Sequence, residues 1–256
     1  MMQMITDFIN LLTGKKKNFD RFCNANNLRL NFKLNQDEFV VLKSIFEDRE
    51  YSDYFPFYRK VTIIDIGAHF GYFSIFANKN TASDSLIIAI EPGKSNFNRL
   101  ITNIQDTAIT NIRSLNYAIS GKSGHVKLNL GRSHNHSIVE NYILNKYQSA
   151  DIELVEAKTL EEIILENKLE KVDFLKMDCE GAEYSILENT PGNIYDRITT
   201  ISMEFHDLKD KNFTGEHLIR ILIKNGFKIV KYKYERTYMD LNYGKIIGTK
   251  LFDELI

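Results

Sequence analysis

The stretch Val61–Gly71, VTIIDIGAHFG, decides the fold. Its β-branched apolar run from Val61 to Ile64 reads as a buried strand, which meets an acid, Asp65, and then two glycines, Gly67 and Gly71. Tyr72 to Asn78 continues as a helix. Glycine suits the bend between them, because the backbone must turn sharply and a ligand must come close to it. The helix start offers N–H groups that no earlier turn satisfies, which suits a polar or anionic group. Strand, glycine turn and helix in this order form the opening unit of a nucleotide-binding α/β sheet.

Toward the C-terminus, strands and helices alternate. Strand 61–66 and a helix over 71–79 precede strand Leu86–Ile90, which ends in Glu91-Pro92, and a helix over 94–105. A third strand is expected over Ile112–Ile119. Gly121–Gly124 makes a turn, His125–Leu130 alternates as an exposed strand does, residues 131–150 are polar and resist assignment, and 152–157 alternates again. Thr159, with Glu162 in the matching box position, caps a helix over LEEIILENK. Val172–Met177 is the fourth core strand and ends in Asp178; a helix over 182–188 follows and stops at Pro191-Gly192. Ile198–Phe205 is the fifth, and Thr214 opens a helix that Asn225-Gly226 ends. Phe227–Tyr234 and Lys245–Leu251 read as a hairpin. This order predicts an α/β fold with a mostly parallel sheet and one antiparallel strand in the C-terminal hairpin.

Toward the N-terminus, residues 1–60 read as a helical lead-in or cap to a domain spanning 61–256. Asn35 is an N-cap, with Glu38 opening a helix to about Phe46. The run YSDYFPFYR, broken by Pro56, either closes the sheet edge or covers an apolar substrate. Met1–Leu12 is too short for a membrane span of about 20 residues and lacks the flanks of a signal peptide. Its helical spacing suggests a packed helix, with a surface anchor ending at Lys15–Lys17 as the alternative.

The 256 residues suffice for one large domain with a sizeable core. A composition of 43% hydrophobic and 26% charged residues is globular, and a net charge of −1 leaves no footprint for nucleic acid or an anionic membrane. The cysteines, Cys23 and Cys179, cannot build a disulfide framework and match no zinc spacing, which points to a reducing, cytoplasmic setting.

The turn Gly67-Ala68-His69-Phe70-Gly71 lacks the middle glycine of a dinucleotide fingerprint. The second strand ends in Glu91, whose carboxylate can accept from both hydroxyls of a ribose; a solvated strand-end charge is the alternative. Asp65 shapes the turn, faces a ligand, or does both. Four runs in order, DIGAHFGYFS, AIEPGKSNFNRLITNI, LNYAIS and FLKMDCEGAEYSIL, resemble the FkbM-type methyltransferase family, a class I S-adenosylmethionine-dependent group. The run Lys176–Glu183, KMDCEGAE, matches the family's K-x-D-x-E-G-x-E pattern, and His69 departs from it where Asn is commoner. The resemblance spans Val61–Phe205. It implies a Rossmann-like sheet, S-adenosylmethionine as cofactor, and methyl transfer to a hydroxyl on a sugar, polyketide or lipid-linked acceptor. It further implies that Asp65, Gly67, Ala68 and Gly71 hold the methionine part, Glu91 the ribose, and that Asn116 and Ala118 lie near the adenine. Asp178 would sit beside the reacting end.

Ligands of open parallel sheets sit at the carboxyl ends of the strands. Strands four and five end in Asp178, Glu180, Glu204, His206 and Asp207, a dense polar group. Methyl transfer to an alcohol is a positioning task with a proton to remove. His206, by its ordinary pKa, or Glu180 is expected to take that proton, with Asp178 orienting cofactor and acceptor. A divalent cation on Asp178, Glu204 and His206 is a lesser alternative, and no metal is assigned. His134 and His136 lack a third ligand and read as part of a polar loop, and Cys179 reads as a packed residue. Two rival functions remain. A nicotinamide-dependent oxidoreductase would share the turn and the ribose acid but not the run at 176–183. A non-catalytic nucleotide-binding module would keep the fold alone. The segments 51–58, 131–150 and 236–243 are expected to choose the acceptor, because loops carry specificity on such scaffolds.

Overall fold

A computed structural model of the chain describes residues 16–30, 36–130, 151–207, 213–236 and 242–251. The run after Val61 becomes β1 (Thr62–Ile66), and every residue after its first is buried. The same holds for β2 (Leu86–Ile90). Strands buried on both faces need helices on both sides, the condition of a parallel sheet. Successive residues serve opposite faces: Ile63 and Phe174 join one core cluster, Ile64 and Leu175 the other.

The order of elements begins with helical residues 16–25 (α1), α2 (Gln36–Phe46), β1, α3 (Tyr72–Asn80), β2, α4 (Lys94–Thr107) and β3 (Ile112–Leu115). It continues with β4 (Ala118–Ile119), β5 (Gly124–Asn129), β6 (Ile152–Lys158), α5 (Leu160–Glu166), β7 (Val172–Met177) and α6 (Glu183–Asn189). It ends with α7 (Gly192–Tyr195), β8 (Ile198–His206), α8 (Gly215–Lys224), β9 (Lys228–Arg236) and β10 (Asn242–Thr249). The main sheet has the order β3-β2-β1-β7-β8-β10-β9. All pairs from β3 to β8 are parallel, and β10 runs against both of its neighbours, β8 and β9. The expected Rossmann-like, mostly parallel sheet with one reversed strand in the closing hairpin is what forms. Strand order reverses direction between β1 and β7, and a crevice opens at such a switch point.

The third strand differs from expectation. The segment 112–119 divides into β3 in the main sheet and β4, which pairs with β6 in a second sheet of order β4-β6-β5. The break falls at Asn116, whose Nδ2 donates to the carbonyls of Glu91 (2.8 Å) and Pro92 (2.9 Å). Those carbonyls lie just past β2 and are taken by a side chain, while Pro92 has no N–H with which to extend a ladder. One turn of helix, α7, also follows Pro191, where only a stop was expected.

The caps read from the sequence form. Thr159 Oγ1 accepts from the Glu162 amide and the Glu162 carboxylate accepts from the Thr159 amide, which closes the capping box of α5. The described N-terminal elements pack on the face of the sheet that carries Ile63. Phe55 sits edge-on to Phe73, Phe76 and Phe174 with ring centroids 6.1, 5.6 and 5.4 Å away. The aromatic run therefore covers a face of the sheet and not its edge, and its first residue, Tyr51, lines a cavity described below. The expected helix in Met1–Leu12, the Asn35 cap and the 131–150 loop with His134 and His136 lie outside the described residues.

Candidate active site

The bend after β1 is held by main chain. The amides of Gly67 and Ala68 both donate to the Ile90 carbonyl, at 3.0 and 2.9 Å, and Asn103 Nδ2 donates to the Phe70 carbonyl at 2.8 Å. Gly67 has φ +73°, and a Cβ there would lie 1.8 Å from the Asp178 carbonyl oxygen. Glycine is required because the end of β7 passes against it. His69 also has a left-handed φ, +52°. Asn and His both tolerate that region better than most residues, which accounts for the departure at this position.

A cavity of about 460 Å³ opens between this bend and the ends of β2, β7 and β8. That lies within the range of about 300–1,000 Å³ common to small-molecule sites. Gly67, Ala68, Glu91, Ala118, Asp178 and Glu180 line it. Past the end of β2, its wall is an apolar slot made by Ile90, Pro92, Ala118, Ile119 and Leu128, a chemistry that suits a flat base. Glu91, between Ile90 and Pro92 in the chain, lines the same cavity. Its Oε2 accepts from the His69 amide at 2.9 Å, and its Oε1 accepts from the Gly93 amide at 3.0 Å and Asn96 Nδ2 at 3.3 Å. Burial pushes its carboxyl up to about 7, although the three hydrogen bonds and Lys176 pull the other way. A carboxylate so held is pre-oriented for a pair of hydroxyl donors, so slot, acid and glycine bend together fit an adenosyl group.

Asp65, Gly71 and Asn116 lie behind this wall. Asp65 is fully buried; its Oδ2 accepts from Ser74 Oγ at 2.7 Å and its Oδ1 is 3.1 Å from Lys176 Nζ. Lys176 also donates to the Gly67 carbonyl at 2.8 Å and stands 4.0 Å from Asp178. One buried ammonium thus ties the ends of β1 and β7 together from beneath, and its own charge is balanced from both sides. Gly71, with φ +80°, starts α3 against Leu100. Asn116 fixes the backbone of Glu91, as described above. For these three residues, a supporting place replaces the direct contact that the resemblance implies.

The second end of the cavity is acidic. Asp178, Glu180 and Glu204 line it, together with Tyr51, Glu50 and residues of α2. Glu180 follows β7 with a left-handed φ of +53°, which Gly181 continues at +99°. This pair of unusual dihedrals turns the Glu180 carboxylate toward β8, where its Oε2 is 3.4 Å from His206 Nε2. His206 Nε2 is also 3.6 Å from Glu204, and its Nδ1 is 3.6 Å from the buried Glu183. Burial alone would lower the imidazole. The charges of Glu180, Glu183 and Glu204 outweigh it and raise the pKa to about 10. Burial lifts Glu180 to about 7 and Glu204 to about 8, with Asp178 adding to both and His206 opposing.

These values correct one expectation. His206 is a poor proton acceptor near neutral pH, because it already holds its proton; it lies behind Glu180 and Glu204 and does not line the cavity. Among the described residues no group of His, Cys, Asp or Glu is arranged to hold a metal ion, so the Asp178, Glu204 and His206 alternative finds no geometric support. Cys179 is half-buried, and burial, followed by the Glu183 charge, pushes its thiol well up, which suits the packed role expected of it.

Tyr51 was not singled out by the sequence. Its hydroxyl donates to Asp178 Oδ2 at 2.9 Å, and it belongs to the lead-in. Only the density of aromatics in YSDYFPFYR hinted at a role, and nothing in that run distinguishes Tyr51 from Tyr54 or Tyr58.

A reversed strand inside an otherwise parallel sheet, with a ribose-ready acid and an apolar slot at its switch point, defines a class I S-adenosylmethionine-dependent methyltransferase. Residues 65–229 match the Methyltransferase FkbM domain, and the chain belongs to that family. With this, the oxidoreductase alternative falls away. A relative named Methyltransferase 1, from Beauveria bassiana (strain ARSEF 2860), is 24% identical over 226 residues, covering 82% of this chain and 89% of the relative. Among solved structures, the precorrin-6y C5,15-methyltransferase of Geobacter metallireducens GS-15 superposes with a TM-score of 0.47 at 12% identity, covering 88% of this chain and 95% of that one. TrmK of M. capricolum, solved with S-adenosyl-homocysteine, gives 0.45 at 14% identity, covering 82% and 71%. Among the described residues no helix is long and apolar enough to cross a membrane.

Proposed function

We propose that the chain transfers a methyl group to a hydroxyl oxygen of a small-molecule or glycan acceptor: a sugar, polyketide or lipid-linked alcohol. The observation that carries this reading is the pair of cavity-lining carboxyls, Glu180 and Glu204, whose pKa values of about 7 and 8 suit removal of a hydroxyl proton near neutral pH. When bound, S-adenosylmethionine supplies a methyl carbon whose bond to sulfur breaks as the bond to the acceptor oxygen forms, sulfur keeping the electron pair. Glu180 or Glu204 takes the hydroxyl proton in that step. His206, held as an imidazolium behind them, keeps one of the carboxyls ionised and ready. Asp178 orients the reacting end, Glu91 holds the ribose, Gly67 and Ala68 bring main chain against the methionine part, and Ala118 lies along the base. Asp65, Gly71 and Asn116 keep that wall in place. The two unpaired cysteines support a reducing, cytoplasmic setting for the reaction.

The test is label transfer. The chain is incubated with methyl-labelled S-adenosylmethionine and the small-molecule and glycan fractions of a cell extract. Label stable to mild alkali, as an ether is, supports the reading; alkali-labile label would mean a carboxyl acceptor and would overturn it. Glu180→Gln and Glu204→Gln are expected to differ, with the base losing about 100-fold or more and its neighbour less. Turnover should rise about tenfold per pH unit and level at about 7 where Glu180 is the base, or at about 8 where Glu204 is. No transfer to any fraction, with S-adenosylhomocysteine still bound, would leave the non-catalytic module standing.

A further inference from the structure

The family match begins at residue 65, yet the cavity has a wall that precedes it in the chain. Tyr51 is the residue of that wall that touches the strand ends. It is buried, with its ring edge-on to Phe73 at 5.6 Å. Two ammonium groups, Lys176 and Lys245, each lie 5.3 Å from the ring centroid. The neighbouring Glu50 pairs with Lys245 of β10 and accepts from Ser44 of α2, so the backbone that carries Tyr51 is fastened on two sides. From this seat its hydroxyl reaches Asp178 Oδ2 at 2.9 Å.

We propose that Tyr51 is a positioning residue of the methyl-transfer site: its hydroxyl fixes one oxygen of Asp178 and so leaves the other to face the cofactor's reacting end. The site is then completed by a segment outside the family domain. The proposal rests on the reading of Asp178 given above. The phenol is a committed donor, because burial, and after it the Asp178 charge, raise it well above its ordinary range. Asp178 is the matching acceptor. Burial would raise it, but Lys176 first, then His206, the Tyr51 hydroxyl and Lys245, hold it below the usual carboxylate range. Asp178 is faced by Lys176 from β7, Lys245 from β10, His206 and Glu204 from β8, and Tyr51 from the lead-in; Glu180 follows it in the chain. Deleting one hydroxyl removes a hydrogen bond without emptying the ring's seat.

The experiment is calorimetric titration of S-adenosylhomocysteine into the full chain between about pH 3 and pH 8, with Tyr51→Phe, Asp178→Asn and, as a control, Tyr58→Phe. Tyr58 is 83% exposed. Thermal melts check that each variant is folded. Asp178→Asn should weaken binding at neutral pH and flatten the acid limb below about pH 4, leaving the limb near pH 7 that Glu91 sets. Tyr51→Phe should weaken binding up to about tenfold and move that lower limb upward by about one pH unit, the effect of losing one hydrogen bond to a charged group. Tyr58→Phe should change nothing. If the Tyr51→Phe profile superposes on the parent while Asp178→Asn does not, Tyr51 has no positioning role and the reading of Asp178 survives. If Asp178→Asn binds as the parent does at every pH, Asp178 is not at the cofactor, and both statements fall.

Discussion

The two ends of the cavity are built differently. Where the base and ribose would lie, the wall is main chain and apolar contact: a bend after β1, the end of β2 and the short β4, all within residues 66–119 apart from Leu128. Where an acceptor would lie, the wall is polar and acidic side chains brought from separate places: Tyr51 and Glu50 from the lead-in, Asp178 and Glu180 after β7, Glu204 on β8. The first end is rigid because backbone geometry leaves it no freedom. The second is held by balanced charge, which responds to pH and can be tuned by one substitution. Damage at the first end should therefore be structural, and damage at the second electrostatic.

Gly67→Ala is the most direct way to break that contrast. The added methyl would stand 1.8 Å from the Asp178 carbonyl at φ +73°, where the obstacle is backbone and cannot swing aside. We expect a loss of about 4 kcal/mol or more, with little folded chain recovered. A variant with an unchanged melting temperature would show that β1 and β7 can separate at their ends, contrary to this account of the bend.

At the acidic end the expected effect is smaller and depends on pH. The folded pKa of His206, about 10, lies above its ordinary 6.5. Folding therefore retains a proton there. The stability this provides is complete below about pH 6.5 and is lost as pH rises toward 10. Glu180 and Glu204, raised from 4.5 to about 7 and 8, have the same sign over a lower window. Asp178, held low, contributes the opposite slope only in acid. Denaturant unfolding should show a fall on the order of a few kcal/mol between pH 6.5 and 10, and His206→Gln should remove most of it. A parental slope in the variant would place the titrating group elsewhere.

The same contrast explains what the sequence made legible. The cofactor end is nearly contiguous: strand period, glycine spacing and a strand-end acid pointed to Gly67 and Glu91, the family resemblance pointed to Ala68 and Ala118, and all four line the cavity. Asp65 and Asn116 fall outside the cavity lining, which the pattern did not reveal, because a polar residue beside a turn looks the same in sequence whether it faces a ligand or braces the wall; here Asp65 is buried against Ser74 and Lys176, and Asn116 is bonded to the Glu91 carbonyl. The split of the third strand escaped because only Asn116 and Tyr117 separate β3 from β4, with no glycine or proline to mark a turn, and the break depends on where Asn116 finds its acceptors. At the acidic end, Asp178 and Glu180 were visible from their motif, but Tyr51 reaches Asp178 across 127 positions, a contact that only the tertiary fold creates. His206 was assigned proton removal from its ordinary pKa: the sequence grouped it with Glu180 and Glu204, but not with the buried Glu183, and did not show how close all three stand to its ring.

The mildest test is Glu91→Gln, and it asks whether the first end contains an electrostatic element after all. Glu91 resists ionisation because it is buried, with a pKa of about 7, so its charge costs the empty protein some stability above that pH. Glutamine removes that cost but turns an N–H group toward donors that now bond to the carboxylate, either the His69 amide or the Gly93 amide together with Asn96 Nδ2. These two changes oppose each other, and we expect the net effect on stability to stay within about 1 kcal/mol. Affinity for S-adenosylhomocysteine has no such compensation: one amide oxygen cannot accept from two ribose hydroxyls as a carboxylate can. Calorimetry should show a loss of about tenfold at pH 8, shrinking below pH 7 as the parental carboxyl becomes neutral itself. An equal loss at both pH values would mean that shape, not charge, is what Glu91 contributes, and the first end would then be steric throughout.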